Sequence, residues 1–323
     1  MSLVQDLTPI NLEEEKQKFF DRNFKYNPQF KYKDLITINQ LYRYGKPKQK
    51  ILELAKLILE EAFYNHTGED LRESEGKVVT KKQANQIITN FLVENNIKNK
   101  VKVKWSKDFP GKASFYIDTL KLKLPIWHRK KEFLGTIYHE LGTHAIRRIN
   151  YEQQPFFKKK AQYGFKDYMI TEEGLASFHT LLAKNFKIDY MSALNYATCD
   201  IAQHSSFAET FNWVTRYLQD RERSWQYTYK LKRGLYDTSQ GGGFTKNIVY
   251  LEGMIKVWSY FQDTNFDLEG LYFGKIDADD VVKARELNKD YQPLLPHFYK
   301  NNHKKYQERI QLIAKVNHFE ELS

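Results

Sequence analysis

"YHELGTHAIRR", residues Tyr138 to Arg148, decides how the rest of the chain is read. It places His139, Glu140 and His144 on a run with helical character. Metalloprotease helices carry H-E-x-x-H, with histidines four apart and about 40° from each other around the axis. Here the histidines are five apart, which on a regular α-helix separates them by about 140° and forbids one shared ion. A single π-type turn absorbs the extra residue and returns both side chains to one side. Gly142, inside the spacer, suits such a distortion because it has no Cβ to clash. The spacing therefore leaves a shared metal open and demands a local irregularity for it, the alternative being two ordinary helix histidines.

Glu140 directly follows the first histidine, the position from which a glutamate takes a proton from metal-activated water instead of ligating. A catalytic zinc needs a third protein ligand and one open position. That ligand is expected from a second helix, and Thr171-Glu172-Glu173 supplies acids in the first turn of one, with Gly174 permitting close approach. Cys199 is the sole cysteine, which rules out a disulfide within the chain and a cysteine zinc cluster, so His, Asp or Glu must hold any metal. A His₂Glu donor set suits Zn²⁺ best. His66, His128, His179, His204, His297, His303 and His318 are expected to be surface or satisfied polar residues. Gly241 to Gly243 with Lys246 lack the G-K-[ST] order of a phosphate loop.

Upstream of the motif, "VKVKW" (Val101 to Trp105) alternates and "SFYIDTLKLKLP" gives a strand pair or a bent strand ending at Pro125. A small sheet thus precedes the motif helix. Helical signals dominate elsewhere. Asn11 with Glu14 marks a helix start, and "FKYNPQFKY" reads as an extended arm broken at Pro28. Ile51 to Phe63 forms a buried helix, while Thr80-x-x-Gln83 and Ser206-x-x-Glu209 are capping boxes. Thr171 is expected to cap "EEGLASFHTLLAK". Without a linker or repeat, the simplest account is one helix-dominated α+β domain over 1–323, with 1–45 as a helix and arm packed on it.

Of the 323 residues, 41% are hydrophobic and 15% aromatic, which is globular and not disordered. A formal net charge of +11 favours an acidic partner, whether peptide, nucleic acid or anionic surface. The first twenty residues lack a basic region followed by an apolar one, and charges interrupt the apolar runs. A soluble, cytoplasmic protein without a membrane span is expected.

Four ordered stretches, "HELGTHAIRRIN", "GFKDYMITEEGLASF", "SSFAETF" and "KRGLYDTSQGGGFTKNIVYLEG", resemble the family named for its QEGLA motif. Its bacterial members are labelled flavohaemoglobin expression-modulating, and the eukaryotic microtubule-associated tyrosine carboxypeptidases are related to them. The resemblance runs from about residue 26 to about residue 271. It implies a zincin-like (gluzincin-type) metallopeptidase fold, with His139 and His144 as ligands, Glu140 as general base and Glu173 as third ligand. Glu172 departs from the bacterial motif, which has Gln. The family's tyrosine carboxypeptidases act on acidic tubulin tails, and the basic charge here suits an acidic C-terminus.

Hydrolysis also needs an oxyanion donor and a cation for the substrate's terminal carboxylate. Lys246, Tyr250 and Tyr236 flank the glycine-rich loop and are candidates for the first. For the second, Arg147 sits where the family has its arginine, Arg148 is beside it, and Arg233 in "KRGL" is the other choice. The resulting expectation is a zinc metallocarboxypeptidase acting on a peptide or protein C-terminus. Two alternatives stand beside it. One is a regulatory or binding protein with a structural metal site and a basic surface for nucleic acid or protein. The other is an aminopeptidase or endopeptidase, although arginines beside the motif argue against holding a substrate amine.

Overall fold

The structure is a computed structural model that describes residues 3–109 and 111–322. Its helices include, in chain order, α1 (Leu12–Asp21), α2 (Gln49–Phe63), α3 (Lys81–Glu94), α4 (Lys130–Ile137), α5 (Ile146–Tyr151), α6 (Met169–Ala183), α7 (Tyr190–His204), α8 (Phe207–Leu218), α9 (Arg221–Lys232), α10 (Ile248–Asp263) and α11 (His303–Val316). Strands β1 (Lys102–Ser106), β2 (Ala113–Tyr116) and β3 (Thr119–Lys123) form one small sheet. This is a helix-dominated α+β architecture. Among the described residues, no helix is long and apolar enough to cross a membrane. The chain divides into two compact units, one from the residues up to Leu71 with Asp189–Leu251, the other from Arg72–Ile188 with Glu252 onward.

In the first unit, Leu52, Ala55, Ile58, Leu59 and Ala62 recur at helical spacing and are buried, and this face of α2 packs on α7. Phe19, Phe207, Phe211 and Trp225 form an aromatic core with ring centroids 4.8 to 5.2 Å apart. Asn11 occupies the N-cap of α1, but its side chain does not cap. It donates to the Gln29 carbonyl (2.9 Å) and accepts from the Lys31 N–H (2.8 Å). The arm competes successfully for the amide. Buried Glu15 accepts from Tyr26 (2.7 Å) and the Gln29 N–H (2.7 Å), fixing the same arm.

In the second unit, the Thr80 and Gln83 capping box opens α3 as the spacing predicts. β3 is central, parallel to β1 and antiparallel to β2, with Leu120 and Leu122 buried on one face. β2 packs against the turn that carries the two histidines. Helix α6 begins at Met169, two residues before the predicted Thr171 cap. The Thr171 hydroxyl instead donates to Asp277 (2.8 Å), while Asp167 accepts from the Met169 N–H (2.9 Å). α6 crosses α10 at two glycines: a Cβ on Gly174 would lie 2.0 Å from the Gly253 carbonyl carbon. Glycine is required there for space.

Candidate metal centre and active site

From Lys130 to Tyr151 the backbone runs as one helix with a π-helical turn, Tyr138–Ala145, between α4 and α5. The Ile146 N–H bonds to the Leu141 carbonyl, five residues back. The predicted irregularity is therefore present where the five-residue spacing requires it. It leaves the His139 and His144 rings 4.9 Å apart and nearly perpendicular, at 77°. Gly142 serves packing, since a Cβ there would meet the Phe298 ring at 2.8 Å.

α6 packs against this turn and contributes Glu173 from its first turn. Glu173 Oε2 is 3.5 Å from His139 Nε2 and 3.7 Å from His144 Nε2, and the three ligand atoms lie within 4.8 Å of one another. Tetrahedral zinc with bonds of about 2.0–2.1 Å places its ligand atoms roughly 3.3 Å apart, close to the two Glu173 separations.

Hydrogen bonds on the far side of each ring assign the tautomers. The Thr180 hydroxyl donates to the Ala176 carbonyl (3.0 Å), so at 3.1 Å it accepts from His139 Nδ1–H. His144 Nδ1 lies 2.6 Å from Glu172 Oε1, which can only accept. In its neutral form each ring therefore turns an unprotonated Nε2 toward Glu173. Two imidazole lone pairs and a carboxylate oxygen converging on one point are a donor set for a divalent cation. The residues fit the metal that the sequence predicts.

Glu172 and Glu173 divide their tasks. Glu172 is 2% exposed and is surrounded by His144, Lys275 Nζ (2.5 Å) and Arg147 (3.4 Å). Burial pushes its carboxyl up, but the Lys275 charge, the His144 hydrogen bond and the Arg147 charge outweigh that and hold it well below the usual carboxylate range. It orients His144 from outside the ligand set.

Arg147 is placed differently from the substrate clamp that the sequence suggests. It is fully buried: Nε donates to the Leu271 (2.9 Å) and Gly274 (3.1 Å) carbonyls, and Nη2 to Ile276 (2.6 Å). With Glu172 as its fourth partner, this guanidinium is held as an internal strut. Arg148 pairs with Glu152 (2.8 Å). Lys246, Tyr250, Tyr236 and Arg233 belong to the first unit, whereas the ligand cluster lies within the second. There Arg233 is 8% exposed and stacks 4.9 Å over Phe244.

The sequence reading did not find Thr180 or Lys275. For Thr180 a signal existed, because it follows Glu173 by seven residues and so shares its helix face. Lys275 carried none, as its position depends on a loop far along the chain.

Residues 37–320 match the family model described as microtubule-associated tyrosine carboxypeptidase. The chain is 31% identical to microtubule-associated tyrosine carboxypeptidase 1 of Rattus norvegicus, and 30% identical to the proteins of that name from Mus musculus and Homo sapiens. Each alignment covers 98% of this chain and 68% of the relative. The matched range takes in the helix of the two histidines and the helix of the two glutamates, and the chain belongs to the microtubule-associated tyrosine carboxypeptidase family.

Proposed function

We propose that this protein is a zinc-dependent metallocarboxypeptidase of zincin-like fold that hydrolyses the C-terminal peptide bond of a peptide or protein. The observation that carries this is the convergence of His139, His144 and Glu173 beside Glu140, which shares the π turn. Held by those three residues, zinc would supply Lewis acidity, polarising the scissile carbonyl and bringing the pKa of a water towards roughly 7. Glu140, 8% exposed, is the general base: its carboxylate takes the proton from the attacking water and passes it to the leaving amine. Thr180 and Glu172 hold the two imidazoles in the tautomer that this arrangement needs. The relatives' name makes a C-terminal tyrosine the first residue to test, and the +11 charge makes an acidic tail the first context.

The test compares wild type with Glu140→Gln and His144→Ala. Metal content is read by elemental mass spectrometry, and cleavage is followed on paired peptides with free and amidated C-termini. Wild type and Glu140→Gln should each hold about one zinc, and His144→Ala should lose it. Only wild type should cleave, and only the free C-terminus. Equal cleavage of amidated peptides would make the enzyme an endopeptidase, and wild-type turnover by Glu140→Gln would remove the assigned base.

A further inference from the structure

Thr143 and Tyr138 are the residues immediately before His144 and His139, so a bond between them has the same five-residue span as the ligand pair. The Thr143 hydroxyl lies 3.4 Å from the Tyr138 carbonyl and 2.7 Å from His179 Nδ1. His179 Nε2 in turn lies 2.9 Å from the Tyr306 hydroxyl. Thr143 and His179 are fully buried and Tyr306 is 3% exposed, so water does not complete this chain.

Its protons follow from where the Thr143 hydroxyl sends its hydrogen. A carbonyl only accepts, so the Thr143 hydroxyl gives its hydrogen to Tyr138 or to the neighbouring Tyr272 oxygen. Having spent its single hydrogen, that hydroxyl must accept from His179 Nδ1–H. A neutral imidazole protonated at Nδ1 has a bare Nε2, which accepts from Tyr306. Burial, without a carboxylate partner, keeps His179 neutral and pushes its pKa down to about 3. Nearby, the Tyr272 hydroxyl donates to the Gly142 carbonyl (2.6 Å), a second anchor on the same turn.

We infer that Tyr306, His179 and Thr143 are positioning residues, a one-way hydrogen-bond chain that holds the π turn in register and so sets the spacing of His139 and His144. The inference rests on the metal reading proposed above. Its physical basis is the alternative backbone. Relaxation to regular α-helix would swing the two ligands about 140° apart and dissolve the site. A π turn is rare in isolation, so side chains that satisfy its carbonyls select it. Three different elements supply the chain behind the Thr143 hydroxyl: the π turn itself, α6 and α11.

The test uses the metal-free full chain, titrated with Co²⁺ and followed by visible absorption, with zinc affinity taken from chelator competition. Thr143→Val removes the hydroxyl at nearly constant shape, and Thr143→Ser restores it. Tyr306→Phe breaks the distal link. Thr143→Val and Tyr306→Phe should weaken metal binding roughly 10- to 100-fold and alter the Co²⁺ bands, while Thr143→Ser retains both. A merely structural role would lower thermal stability and leave the Co²⁺ spectrum unchanged. Affinities within about twofold of wild type with superimposable spectra would overturn the inference, and if Thr143→Val does not fold, Tyr306→Phe decides it. Nitrogen NMR of the metal-free wild type should show His179 as the Nδ1–H tautomer; the Nε2–H tautomer would overturn the chain independently of metal. Wild type that binds no Co²⁺ would overturn the metal reading itself, and the positioning role with it.

Discussion

Glu172 and Glu173 are neighbours with the same side chain, and helix geometry sends them about 100° apart around α6. One faces the two Nε2 atoms; the other faces Lys275, Arg147 and the back of His144. Their amide variants should therefore differ. Glu173→Gln removes an anionic ligand and should abolish stoichiometric zinc. Glu172→Gln still accepts from His144 but no longer neutralises buried Arg147 and half-buried Lys275, so zinc affinity should fall about 10-fold with stoichiometry retained. Chelator competition on both variants decides it, and the reverse ranking would exchange their roles. His128 tests charge burial away from the site. Burial, then the Lys112 charge, push its imidazole from 6.5 down to about 4. Between those values the unfolded chain binds a proton that the folded chain does not, so stability falls as pH drops through that window. The loss should approach about 1.4 kcal/mol per pH unit, or about 3 kcal/mol in all. Urea unfolding at pH 7 and pH 4.5 should show a shallower acid loss for His128→Gln; parallel behaviour of the two proteins would refute the assignment.

The crossing of α6 and α10 sets where Glu172 and Glu173 stand, because Gly174 follows them directly and meets Gly253 backbone to backbone. Alanine is the better helix former by about 1 kcal/mol, so propensity alone has Gly174→Ala stabilise. Steric overlap at 2.0 Å opposes it, since the helices would have to separate, at a cost of about 1–3 kcal/mol or more. The clash should win. Urea denaturation should show net destabilisation together with weaker zinc binding, and an unchanged or raised midpoint would mean the crossing is looser than the backbone distances imply. Elements whose partners are local were legible in the sequence. The Thr80 and Ser206 boxes close within three residues, and the π turn followed from asking two ligands five apart to share one ion. What failed depended on distant chain. Thr171 was drawn from capping by Asp277 and Asn11 by the arm at Gln29 and Lys31, and Arg147 is held by carbonyls more than 120 residues away. A side chain's chemistry states what it can bind, and local sequence does not state which long-range partner reaches it first.

For the molecule as a whole, the remaining lever is charge. A chain at +11 attracts anions over distances that salt controls, with a screening length of roughly 10 Å at 0.1 M ionic strength. Such attraction raises the encounter rate and the local concentration of an acidic substrate, and it leaves the bond-breaking step untouched. Two peptides ending in the same tyrosine, one preceded by glutamates and one by neutral residues, separate these effects. At low salt kcat/KM should favour the acidic peptide by about 10-fold or more, carried by KM. Raising ionic strength towards 0.5 M should shrink that advantage to about twofold, with kcat steady for both. If the preference survived high salt, direct contacts in the site would be selecting the acidic residues. If no preference existed at any salt, the basic surface would have no part in substrate capture, and the excess of lysine and arginine would be solvated surface.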